Sequence, residues 1–137
     1  IAVRREEFHK IKFDTELGRK GKALFDLEDI DFCETLLEHG YKLLYTPDAL
    51  VYHNINVRKV NMKYVTMRAI NGGVSLYIMK KKRAKSRINL FASLLRHTPG
   101  MLLLFLNKRT TENLYLLIRN VVACFAFLKD APKWHIR

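Results

Sequence analysis

Apolar residues recur at helical spacing over most of this chain, and two short runs between the helices read as strands. Arg4–Ile11 predicts a short helix with Phe8 and Ile11 on one face. Glu28–His39 predicts a three-turn helix through Phe32, Cys33, Leu36 and Leu37, with Asp26 as N-cap, Asp29 closing a capping-box-like turn and Gly40 as the stop. Tyr41–Tyr45 and Ala49–His53 have strand character, separated by a Pro47-Asp48 turn. Val57–Lys82 then carries a 3.6-residue apolar stripe interrupted by Gly72-Gly73, which marks either a kink or a close helix contact. Ile88–His97 is strongly apolar. Thr98-Pro99 restarts the chain as N-cap and first-turn proline before Gly100–Leu106. Thr111 is expected to cap a last helix, Glu112–Lys129.

Charge divides this pattern in two. Residues 1–57 hold 8 Lys and Arg against 11 Asp and Glu, a net of −3, whereas residues 58–137 hold 17 against 2, a net of +15. Six of the eight residues Lys80–Arg87 are basic. The back half therefore reads either as a helical packing layer with solvated charges or as an in-plane anchor on an anionic membrane surface. Its uninterrupted apolar runs, Met101–Leu106 and Val121–Leu128, fall short of the ~20 residues of a spanning helix. The length, 137 residues, and the hydrophobic share, 49%, suit one packed domain. Cys33 and Cys124 both lie in apolar helical patterns and are expected as buried free thiols. No signal peptide is evident, and the first residues already read as patterned, as in a segment of a longer protein.

Candidate chemistry gathers in three places. Four carboxylates lie between Asp26 and Asp31, where helix-end amides favour negative charge. They serve the helix alone, or Asp29 is a general base with Glu28 beside it. Leu17-Gly18-Arg19-Lys20-Gly21-Lys22 is a basic loop with no P-loop ending, either plain surface or a mobile active-site loop. His53 ends the second strand, as a structural histidine or as a metal or phosphate contact.

Taken in order, Ala2-Val3-Arg4-Arg5-Glu6-Glu7-Phe8, Phe13-Asp14-Thr15-Glu16-Leu17-Gly18, Glu28-Asp29-Ile30-Asp31-Phe32-Cys33, Gly40-Tyr41, Tyr45-Thr46-Pro47-Asp48-Ala49 and Val51-Tyr52-His53 resemble the C-terminal part of the catalytic domain of family-2-type glycosyltransferases. The resemblance implies an α/β fold: the acceptor-side portion of the GT-A nucleotide-diphospho-sugar transferase fold over 1–57, followed by a mainly α-helical, membrane-associating tail over 58–137. It implies transfer of a sugar from a nucleotide-diphosphate donor to a hydroxyl acceptor with inversion. Asp29 would be the base and Glu28 its supporting carboxylate, with Asp31 on the substrate side. His53 would help hold a divalent metal, Mg or Mn, or the diphosphate. The glycine-containing loop with Arg19 and Lys22 would lie near the acceptor, and from the charge of these two residues a contact to donor phosphates is expected as well.

The chain departs from that pattern in several ways. Ile11-Lys12-Phe13 lacks the usual glycines before Phe-Asp. Thr35 stands where an arginine is common, so a salt bridge is expected to be missing. The Asp-x-Asp metal motif and the nucleotide-binding strands, which precede the matching segment in such enzymes, do not occur. The expectation is an enzyme segment inactive by itself, part of a peripheral enzyme on the cytoplasmic membrane face. Its acceptor would be a lipid-linked or saccharide hydroxyl, in polysaccharide or glycolipid synthesis. An open sheet edge would invite self-association into a homo-oligomer. The competing readings are a basic helical nucleic-acid-binding module, against which no recognisable motif speaks in its favour, and an inactive truncated transferase.

Overall fold

The computed structural model describes residues 2–21, 23–56, 59 and 61–129. Among them the regular structure is entirely helical: α1 (Arg5–Lys10), α2 (Glu28–Glu38), α3 (Met62–Arg83), α4 (Arg87–Leu95), α5 (Thr98–Asn107) and α6 (Thr111–Leu128). The α/β GT-A expectation is thereby overturned. The described residues hold no strand, only an isolated antiparallel bridge between Lys20 and Ala23. Tyr41–Tyr45 and Ala49–His53 have the residue types of strands, but among the described residues no second strand lies alongside to pair with them. They run as irregular backbone instead, with Leu44 and Tyr45 both 91% exposed and Tyr52 90% exposed.

The scaffold is α3 laid against α6. A methyl group added at Gly73 would fall 2.5 Å from the Arg119 carbonyl oxygen and 2.7 Å from Val122 Cβ. The glycine pair is therefore a close-contact device and not a kink, and α3 runs unbroken through it. Ala123 and Ala126 complete the small-residue seam on α6, beside a core of Leu17, Leu27, Leu76, Tyr77, Met79, Leu90 and Leu94. Asn120, buried in α6, donates from Nδ2 to the Leu94 carbonyl (3.0 Å) and to Thr98 Oγ1 (2.6 Å), fixing the α4–α5 junction.

Caps differ from expectation by one position in several places. Asn61, Ser86 and Thr110 accept from the backbone N–H of Tyr64, Asn89 and Asn113 at the starts of α3, α4 and α6. His97, not Thr98, precedes α5. At α2 the N-cap is Leu27, in the left-handed region (φ 74°) with no side-chain cap, because its side chain is drawn into the core. Asp26 is therefore not a cap. Both cysteines are free and half-buried, and burial pushes the Cys124 thiol up.

The N-terminal part docks on α3 through Leu17 and Leu27 in the α3–α6 core and through a set of ion pairs. A small core of Ile11, Phe32 and Leu36, with Phe13 stacked on Phe32 (centroids 4.4 Å apart), holds α1 to α2. Lys82 pairs with Asp14 and Glu16. Arg83 pairs with buried Asp31, donates from Nε to Glu38 Oε1 (2.9 Å), and reaches the Asp31 carbonyl (3.0 Å) and Thr35 Oγ1 (3.1 Å) through Nη2. The guanidinium expected to be missing at Thr35 is thus supplied from α3.

Candidate functional site

Two short loops and the starts of α3 and α6 enclose a cleft of about 790 Å³. Arg19 enters from the glycine loop and His53 from the irregular segment after α2. Lys59 and Arg68 come from around and within α3, and Tyr64, Tyr115 and Glu112 complete its polar and aromatic wall. Three cationic side chains, Arg19, Lys59 and Arg68, and His53 thus meet one carboxylate, Glu112. Such a lining favours an anion, above all one whose oxygens can take the planar N–H fork of an arginine.

Arg68 is held from behind. Its Nη2 lies 3.5 Å from Asp26 Oδ2. Asp26 is positioned in turn by its own backbone N–H, which donates to Ser75 Oγ at 3.1 Å. A Cβ at Gly72 would lie 3.3 Å from both Asp26 oxygens and 3.2 Å from Arg119 Cδ, so the glycine makes room for this carboxylate between two arginines. Burial raises the Asp26 carboxyl above its usual range, against the pull of Arg68 and Arg119. Its Oδ1 is buried without a hydrogen-bond partner among the described residues.

The residues expected from sequence divide sharply. Arg19 and His53, 34 positions apart, share the cleft. Lys22 lies outside the described residues. Asp29 is exposed on the first turn of α2, where its Oδ1 accepts from the Ile30 N–H at 2.9 Å, and it does not line the cleft with His53. Glu28 packs beneath the glycine loop: a Cβ at Gly18 (φ +79°) would lie 3.5 Å from Glu28 Cδ, and Glu28 Oε2 is buried without a hydrogen-bond partner among the described residues. Asp31 is not open to a substrate. It is 7% exposed and occupied by Arg83.

The expected metal contact of His53 stands here without further ligands of its kind. No three His, Cys, Asp or Glu residues gather as ligands among the described residues, and His53 shares its cleft with three permanent or near-permanent cations. Lys59, Arg68 and Tyr115 were not legible as site residues. Their segments read as helical packing, and only their chain-distant meeting with Arg19 and His53 gives them a role. No family model, curated protein or solved structure matches this chain. The likeness to glycosyltransferases therefore stands on the residues quoted above.

Proposed function

We propose that this chain is part of a glycosyltransferase that uses a nucleotide-diphosphate sugar, and that the Arg19–His53 cleft takes the phosphates of that donor. The observation that carries the reading is the convergence of His53, which the sequence likeness puts near the metal or diphosphate, with Arg19 of the basic loop and with Lys59 and Arg68 at one cleft. Phosphate oxygens accept charge-assisted hydrogen bonds from guanidinium groups, and a negative diphosphate offsets the mutual repulsion of the cations lining the wall. As the diphosphate leaves, charge builds on its oxygens, and fixed donors aimed at them stabilise the transition state more than the ground state. Tyr64 and Tyr115 offer flat apolar faces beside the cations, suited to a base or sugar ring.

The reading rests on the phosphate cleft and not on Asp29. Asp29 has the exposure a base needs, yet it sits outside the cleft lining, so an acceptor would have to bridge the two. Calorimetric titration of the chain with uridine diphosphate tests the proposal. Saturable binding is expected, weakened roughly tenfold or more by Arg19→Ala and by Arg68→Ala, each of which removes hydrogen bonds to a charged ligand. Absence of binding, or binding indifferent to both substitutions, would overturn it.

A further inference from the structure

Among the described helices of eight or more residues, α5 alone buries no residue. It carries no charge from Thr98 to Asn107, and it leaves Leu103 67%, Leu104 53% and Leu106 57% exposed. Exposed cations stand at both of its ends: Arg96 before it, Lys108 and Arg109 after it. Between Lys80 and Lys129 the chain has 11 Lys and Arg and one acid, Glu112. We propose that α5 docks this protein onto an anionic phospholipid bilayer, with its leucines in the headgroup–acyl boundary and Arg96, Lys108 and Arg109 on lipid phosphates. This surface does not depend on the cleft or on sugar transfer.

The occupant follows from charge and shape together. A contiguous apolar face this exposed calls for a cover. A ring of cations around it matches anionic headgroups lying directly above acyl chains, and lysine and arginine stems can lie along the apolar boundary while their charges stay at the phosphates. The Lys80–Arg87 run contributes less than its density implies. Lys82 and Arg83 are turned into ion pairs with the acidic front, Lys80 Nζ donates to the Ser93 carbonyl at 3.3 Å, and Lys81 lies over the Tyr77 ring.

Docking is in the plane of the membrane. By length and composition, Arg87–Asn107 and Thr111–Leu128 are each apolar enough to cross a bilayer. The first, however, is broken by Arg96-His97. Ten residues of α5 rise only about 15 Å, half of a ~30 Å hydrocarbon core. The second is locked to α3 by the Gly73 contact, with Asn120 buried and Arg119 beside Asp26.

The test is co-sedimentation of the full chain with vesicles of phosphatidylcholine alone and of phosphatidylcholine with phosphatidylglycerol, set beside a duplex-DNA shift at equal salt. Expected is partition onto the anionic vesicles that weakens as salt rises. Lys108→Gln and Arg109→Gln should each reduce it about fivefold. Leu103→Glu, at a site too exposed to unfold the chain, should reduce it by at least as much, with an unchanged thermal melt. Equal partition onto neutral vesicles or indifference to Leu103→Glu would each overturn the proposal. So would DNA binding as strong as vesicle binding.

Discussion

The acidic front and the basic back of this chain are held by different physics. Behind Asn61, α3 and α6 approach through glycine and alanine, and the contact is steric: there is no space for another carbon at Gly73. Ahead of it, α1 and α2 share a small core of Ile11, Phe32 and Leu36, and the front reaches α3 through Leu17 and Leu27 and through the acids Asp14, Glu16, Asp26, Asp31, Glu34 and Glu38. The charge asymmetry visible in the sequence is thus partly internal. Some of the excess cations neutralise the front, Arg68 by way of Asp26, and those around α5 are left over for outside anions.

The hardest blow to this comparison is Arg83→Ala. Asp31 would be left buried and unpaired, a circumstance that costs about 3 kcal/mol or more. Urea unfolding should show that loss, whereas a loss under about 1 kcal/mol, the scale of an exposed pair, would mean the front does not hang on this arginine. Gly73→Ala comes next. Its Cβ would meet a backbone carbonyl that cannot swing aside, so a loss of about 1–3 kcal/mol is expected, read from the same unfolding curves. A neutral result would show that the α3–α6 seam can open without cost.

Asp26 sharpens the contrast through pH. Its folded carboxyl is raised, so the folded protein binds that proton more tightly than the unfolded chain. Its contribution to stability is greatest below the usual carboxylate range and falls as pH rises through that range to the raised value. Asp26→Asn should therefore gain stability relative to the native chain as pH rises across that window, measured by thermal melts at several pH values. The opposite slope would mean that the pair with Arg68 outweighs burial. Smallest is Glu16→Ala. Glu16 is two-thirds exposed, and its loss should change stability by less than about 1 kcal/mol.

Much of the helical order was legible because 3.6-residue periodicity is local information. Five helices beyond the first lie within a few residues of where the apolar stripes and cap residues put them. The strands were not, because a strand is a relation between two segments. Tyr41–Tyr45 and Ala49–His53 show that β-type residues with no neighbour leave the backbone irregular. Asp26 misled for a related reason. A carboxylate just ahead of a helix is the local signature of a cap, yet Arg68, 42 positions away, takes this one, while the Asp26 backbone N–H donates to Ser75 Oγ. The same limit applied to the site. Arg19 and His53 could be picked out by chemistry, while Arg68, Lys59 and Tyr115 join them only through the packing of α3 and α6. Asp31 looked like one more acid of the cluster, since nothing nearby in sequence announces Arg83.

The most direct measurement is a nuclear magnetic resonance titration of the labelled chain with uridine diphosphate, followed residue by residue. The account predicts that signals of Arg19, His53, Lys59 and Arg68 move together along one saturable curve while those of Lys108 and Arg109 stay still. Movement confined to Lys108 and Arg109, or no saturable movement at His53 and Arg19, would contradict it.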